Sequence, residues 1–193
     1  MNVRLRPPPI TVEEFEEMGD RAKGYELIDG RLREKGMGAE SSEIQCELGF
    51  LLKLWLRTNP IGKVYESECM YRCFPDHPDR VRKPDVSFVR TERLPGGRSP
   101  RGILEIPPDF AAEVLSPNDK AVELSEKLAD YHSAAIPLVW VLNPDLRTVQ
   151  VRTADGVIRE FGADDELTGD PVLPGFRVRV ADLFPPPAES PAS

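Results

Sequence analysis

Apolar positions along this chain change period several times, and each change marks an element. Between 42 and 57, Ile44, Leu48, Leu51, Leu52, Trp55 and Leu56 recur at spacings of three and four. That spacing predicts an amphipathic helix of about four turns, which needs a sheet to lie against. A second stripe of Ala121, Leu124, Leu128, Tyr131 and Ala135 predicts another helix, running to about Ala135. Ser116-Pro117 ahead of it fits an N-cap followed by proline at the first helical position. Thr11-Val12-Glu13-Glu14 reads as a capping box opening a short helix through Phe15 and Met18. Asp29-Gly30, set between the apolar runs of 25–28 and 31–33, signals a β-hairpin. Short apolar runs predict strands at 63–73, 85–90, 110–115, 138–142, 148–152 and 157–161.

The connections carry their own signals. The stretch 91–108, with Pro95, Gly96, Gly97, Pro100 and Gly102, is expected to be a long mobile loop. Prolines at 7–9 suggest an extended lead over 1–10, and those at 185–187 open a tail to 193 that is expected to be disordered. No internal repeat is visible. The expected architecture is one α/β domain over 11–184, a mixed central β-sheet flanked by helices with extra β-hairpins.

Two of the strand-like runs each hold one carboxylate among apolar residues. They are Lys83-Pro84-Asp85-Val86-Ser87-Phe88-Val89 and Asp109-Phe110-Ala111-Ala112-Glu113-Val114-Leu115. Side chains alternate across a strand, so Glu113 and Leu115 share a face. An aspartate on one strand and Glu-x-Lys on the next would compose a metal-dependent nuclease site, but position 115 is leucine. Lys127 lies three residues after Leu124 and four before Tyr131, at the edge of the second helix's apolar stripe. A lysine there either snorkels to solvent or meets a carboxylate. Lys120 is a rival for the same role. Glu123, Ser125, Glu126 and Asp130 fall outside the stripe, toward solvent. Asp85 alone could be an ordinary strand-start aspartate, whereas a glutamate buried on both sides, like Glu113, calls for a partner or a metal.

Composition narrows the field. With 193 residues, 40% hydrophobic and 30% charged, the chain can bury a full core. No apolar run approaches a membrane span, and the first residues lack a signal peptide's apolar stretch, so a cytoplasmic protein without membrane contact is expected. Cys46, Cys69 and Cys73 form no Cys-x-x-Cys pair, which points away from disulfides and zinc toward core or half-buried thiols. His77 and His132 have no paired ligand spacing and read as surface residues. The net charge of -8 opposes broad adhesion to DNA. Arg80-Val81-Arg82-Lys83 and the arginines from 90 to 101 could still form a basic patch.

Taken in order, five motifs resemble the Uma-two endonuclease family of the PD-(D/E)XK nuclease superfamily. They are Tyr25-Glu26-Leu27-Ile28-Asp29-Gly30, Lys83-Pro84-Asp85-Val86-Ser87-Phe88-Val89, Pro108-Asp109-Phe110-Ala111-Ala112-Glu113-Val114-Leu115-Ser116-Pro117, Lys127-Leu128-Ala129-Asp130-Tyr131 and Ile136-Pro137-Leu138-Val139-Trp140-Val141-Leu142-Asn143-Pro144. The resemblance implies a restriction-endonuclease-like fold and a Mg²⁺- or Mn²⁺-dependent endonuclease hydrolysing DNA. It implies Asp85 and Glu113 as metal ligands, with the carbonyl of Val114 a third, and Lys127 as the superfamily lysine moved from strand to helix. Glu26 matches an acidic residue of the opening motif that approaches the metal site; alternatively it is a hairpin glutamate facing solvent. Family members commonly self-associate, which implies a homodimer. Many relatives carry a histidine before the first long helix, where this chain has Glu40-Ser41-Ser42-Glu43. That departure and the acidic charge keep a second reading open, a catalytically inactive nucleic-acid- or protein-binding module on the same fold. A third makes the chain an assembly partner, with a dimer interface built from the Trp140 strand and the C-terminal hairpin.

Overall fold

The computed structural model describes residues 8–186 apart from Met37 and Asn118. Most of the expected extended lead and of the expected tail therefore lies outside the described residues.

The chain opens with helix α1 (Val12–Glu17), started by the anticipated capping box. Thr11 N–H donates to Glu14 Oε2 at 2.8 Å and Glu14 N–H to Thr11 Oγ1 at 3.1 Å, so two orphan donors are satisfied reciprocally. Strands β1 (Tyr25–Ile28) and β2 (Arg31–Glu34) form the hairpin. Its two turn residues, Asp29 at φ 50° and Gly30 at φ 70°, both adopt the left-handed backbone that a two-residue hairpin turn requires.

Helix α2 (Ala39–Leu56) leads into β3 (Gly62–Glu66), β4 (Val86–Arg90) and β5 (Phe110–Val114). Helix α3 (Ala121–Ser133) then crosses to β6 (Leu138–Asn143), followed by β7 (Thr148–Thr153) and β8 (Ile158–Phe161). These six strands make one sheet in the order β3-β4-β5-β6-β7-β8. Only β5 and β6 run parallel, because α3 returns the chain to the same end of the sheet between them. A small hairpin of β9 (Glu166–Thr168) and β10 (Arg177–Arg179) follows the sheet.

Alternation along the strands divides the core in two. One face presents Val86, Phe88, Phe110, Ala112, Val114, Leu138, Trp140 and Leu142 to Ile44, Leu48 and Leu52 of α2 and to the C-terminal hairpin region. The opposite face presents Val89, Ala111, Val139 and Val141 to Leu128 and Tyr131 of α3 and to Ala134 just past it. Near-continuous apolar strands with both faces covered follow from this sandwiching. A third, smaller cluster of Val12, Phe15, Leu27 and Val81 fixes the β1–β2 hairpin against the segment before β4.

Several expectations need correction. The strand expected over 63–73 ends at Glu66, because Tyr71 turns away to exchange backbone hydrogen bonds with Arg82 at 2.9 and 3.1 Å. Helix α3 begins at Ala121 and is not capped by Ser116; Asp119 Oδ2 accepts the Ser116 N–H at 2.7 Å and closes a separate turn first. The 91–108 stretch is pinned rather than loose, since Leu94 and Leu104 are buried and Arg93 pairs with Asp109 at 2.8 Å. Trp140 is sealed in the core, edge-on to Phe110 with ring centroids 5.2 Å apart, so its side chain cannot serve a dimer interface. Cys46 is exposed rather than half-buried.

Candidate active site

The sheet register brings the two strand carboxylates together. Val86 pairs with Ala112, and Asp85 N–H donates to Ala112 O at 3.0 Å, which sets Asp85 beside Glu113 at the ends of β4 and β5. Both belong to the α3-facing set by alternation. Asp85 is fixed by its strand neighbour, since Val114 N–H donates to Asp85 Oδ2 at 2.8 Å. Glu113 is fixed by α3: Lys127 Nζ reaches Oε2 at 2.7 Å and the Tyr131 hydroxyl donates to Oε1 at 2.6 Å. Lys127 and Tyr131 are four residues apart, so one helix face delivers both.

Lys127 is buried and does not snorkel. Besides Glu113 its ammonium lies 3.0 Å from Glu26 Oε1 and donates to the Lys83 carbonyl at 3.2 Å. Glu26 is therefore a buried member of the cluster and not a solvent-facing hairpin residue. Its Oε1 also accepts the Lys83 N–H at 2.8 Å, and its Oε2 accepts Arg82 Nη1 at 3.0 Å. Asp85, Glu113, Lys127, Glu26 and Val114 all line one cleft of about 70 Å³, together with Arg33, Lys35 and Leu115.

Sequence reasoning missed three participants. Lys35, just past β2, places its Nζ 2.8 Å from Asp85 Oδ1 and 2.6 Å from the Lys83 carbonyl. Its signal was weak, one charged residue after a short strand. Tyr131 was legible as a stripe residue but not as the hydroxyl holding Glu113. Asp130, expected toward solvent, is buried: Arg82 Nε donates to Oδ2 at 2.7 Å and Arg80 Nη1 to Oδ1 at 2.8 Å. Arg80, Arg82 and Lys83 consequently do not form a surface basic patch; Arg82 and Lys83 are buried, and all three are spent on Asp29, Asp130, Glu26 and Glu68. The rival Lys120 is exposed and pairs with Glu123 at 3.0 Å. His132 is exposed as expected.

Burial and charge set the protonation of the cluster. Burial pushes the Glu113 carboxyl up to about 7, with Lys127 opposing the rise and Asp85 reinforcing it. Burial would raise Glu26 too, but Lys127, Arg82 and Lys35 outweigh it and hold that carboxyl down to about 2. For Lys127, burial disfavours the ammonium, yet Glu113, Glu26 and Asp85 more than compensate and keep it charged. Burial and the adjacent carboxylates push Tyr131 well above the usual phenol value, so it stays a donor to Glu113.

Asp85 and Glu113 offer hard oxygens of the kind Mg²⁺ and Mn²⁺ take, and each carboxylate oxygen keeps acceptor capacity beyond its present partner. Among the described residues no group of three or more histidine, cysteine or acidic side chains is arranged to hold a metal. Two carboxylates with that acceptor capacity form a donor set that would suit an ion retaining several waters. It does not suit an all-protein cage.

An α2–sheet–α3 core with two carboxylates at adjacent strand ends, one of them held by a helix lysine, is the architecture of a restriction-endonuclease-like nuclease. A profile of the Uma2 family, described as "Putative restriction endonuclease", matches residues 12–181. The chain belongs to that family. Among solved structures it is similar to "a putative nuclease belonging to DUF820" from Anabaena variabilis, at 24% identity and a TM-score of 0.76, covering 91% of this chain and 98% of that one. At that identity the likeness establishes the fold. No curated protein matches the chain. Among the described residues, no helix is long and apolar enough to cross a membrane.

Proposed function

We propose that this protein is a Mg²⁺- or Mn²⁺-dependent endonuclease that hydrolyses DNA phosphodiester bonds. The observation that carries this reading is the meeting of Lys127 Nζ with Glu113 at 2.7 Å, in a cleft that Asp85 also lines. Asp85, Glu113 and the Val114 carbonyl would hold the metal, which supplies Lewis acidity toward a phosphoryl oxygen and a lowered water pKa. Lys127, kept charged by its neighbours, orients the attacking water or offsets charge developing on the phosphoryl group. Glu26 and Tyr131 act as positioning residues, Glu26 on Lys127 and Tyr131 on Glu113. The test is direct: the purified chain with Mn²⁺ should nick or cut DNA and should stop on chelation. Absence of cleavage on plasmid, linear and single-stranded DNA would sink the reading.

Metal binding should also depend on pH. A cation at Glu113 needs the carboxylate, and this carboxyl titrates at about 7. Mn²⁺ affinity measured by calorimetry is therefore expected to fall about tenfold per pH unit below about 7 and to level off above it. A flat profile from about pH 5 to 8 would contradict the role given to Glu113.

One observation favours a second reading, an inactive binding module. Arg80, Arg82 and Lys83 are consumed by internal ion pairs and the net charge is -8, so this basic run is not available to a phosphate backbone. Saturable Mn²⁺ binding that is lost in Asp85→Asn would favour the enzyme; DNA or protein binding without any metal response would favour the module.

A further inference from the structure

Lys35 plays no part in the proposed chemistry, yet it holds the most direct contact with Asp85 from outside the sheet. Long lysine side chains at a cleft rim ordinarily extend into water. This one turns inward: its side chain is only 11% exposed, and its ammonium sits between Asp85 Oδ1 at 2.8 Å and the Lys83 carbonyl at 2.6 Å. A carboxylate oxygen paired with a backbone carbonyl is a donor combination that hard divalent cations also use. Lys127 also reaches the Lys83 carbonyl, at 3.2 Å, but its carboxylate partners are Glu113 and Glu26, which leaves Lys35 as the ammonium on Asp85.

Charge counting leads the same way. The two carboxylates given to the metal each already carry an ammonium, Lys35 on Asp85 and Lys127 on Glu113. A divalent ion arriving at Asp85 would meet an ammonium a few ångströms away, and two like charges at that range repel strongly in a partly buried site. Either the ion stays out or Lys35 leaves. Departure is feasible, since Lys35 lies past the end of β2, beside Gly36, and both residues line the open cleft.

We propose that Lys35 is a resident counter-cation of Asp85 that a divalent metal must displace, so that it sets the metal affinity of the site. This rests on the metal-site reading above. It makes Lys35 a positioning residue: it keeps Asp85 paired and oriented in the metal-free protein, and its withdrawal accompanies metal loading.

The experiment is calorimetric titration of the full chain with Mn²⁺ alone, comparing the unmodified protein with Lys35→Met and Lys35→Gln. Methionine keeps the apolar stem, while glutamine keeps a hydrogen-bond donor for Asp85; the second serves if the first fails to fold. Both are expected to bind Mn²⁺ about tenfold more tightly, or better. Adding Asp85→Asn to either is expected to abolish the gain. Unchanged, weaker or absent Mn²⁺ binding in the Lys35 variants overturns the proposal, as does a gain that survives Asp85→Asn. Cleavage separates the two readings. Tighter Mn²⁺ binding without any DNA cleavage leaves the role of Lys35 standing and removes the nuclease. Cleavage with unaltered Mn²⁺ affinity does the reverse.

Discussion

Replacing Lys127 with methionine is expected to lower metal-dependent DNA cleavage by about a thousandfold while Mn²⁺ binding remains saturable, and replacing Glu113 with glutamine is expected to abolish both. The two residues touch at 2.7 Å, so a purely structural account would have either change do the same damage. The proposed roles differ, however. Glu113 supplies a ligand oxygen, and its amide replacement is a poor one for a hard cation. Lys127 supplies charge and orientation to the reacting groups, which the metal cannot replace. Methionine fills the same buried volume, so the apolar contacts of α3 persist. Circular dichroism and Mn²⁺ calorimetry on each variant, followed by a cleavage time course, distinguish the cases. Lys127→Met cutting DNA at the unmodified rate would remove Lys127 from the chemistry. Loss of Mn²⁺ binding in that variant as well would reduce it to a prop for Glu113.

How much of this was readable beforehand depended on whether a residue's partners were near in sequence pattern. Helices α2 and α3, the capping box and the Asp29-Gly30 turn are specified by local spacing, and they appear where periodicity and turn chemistry place them, apart from end shifts. The nearness of Asp85 and Glu113 was legible as two buried carboxylates on neighbouring strands. That Lys127 would meet a carboxylate was legible as one of the two outcomes open to a lysine at the edge of the apolar stripe. The remainder depended on tertiary neutralisation, which spacing cannot encode. Asp130 lies off the apolar stripe of α3 and looked solvated; it is buried because two arginines from the segment before β4 descend onto it. The same arginines looked like a DNA-binding patch for the mirror-image reason. Lys35 gave no pattern at all, since its destination is set by the hairpin's docking onto the segment before β4 through the Leu27–Val81 bridge.

Removal of the Arg82 charge is expected to produce the largest loss of stability of any single change near the site, about 3–5 kcal/mol for Arg82→Met. Arg82 is 1% exposed and joins two carboxylates on different elements, Glu26 of the hairpin and Asp130 of α3. Its loss leaves Asp130 with Arg80 alone and Glu26 with Lys127 and one backbone donor, both carboxylates deep in the protein. Urea unfolding should show a lower midpoint with an unchanged slope, the signature of lost stability rather than an altered unfolded state. Asp130→Ala should cost a similar amount. Since the two act on one network, the double variant should lose less than the sum by at least about 1 kcal/mol. Acid sharpens the test. Glu26 titrates at about 2 in the folded chain against an ordinary value of 4.5, so its stabilisation is present above that ordinary value and disappears as pH falls toward about 2. Without Arg82 part of that depression is gone, and the variant should begin to unfold at a higher pH than the unmodified chain. Glu113 works in the opposite sense: its raised carboxyl favours the metal-free fold most below its ordinary value, and that advantage declines as pH climbs to about 7. Equal urea midpoints for Arg82→Met and the unmodified chain would mean that the guanidinium contributes nothing beyond the volume it fills.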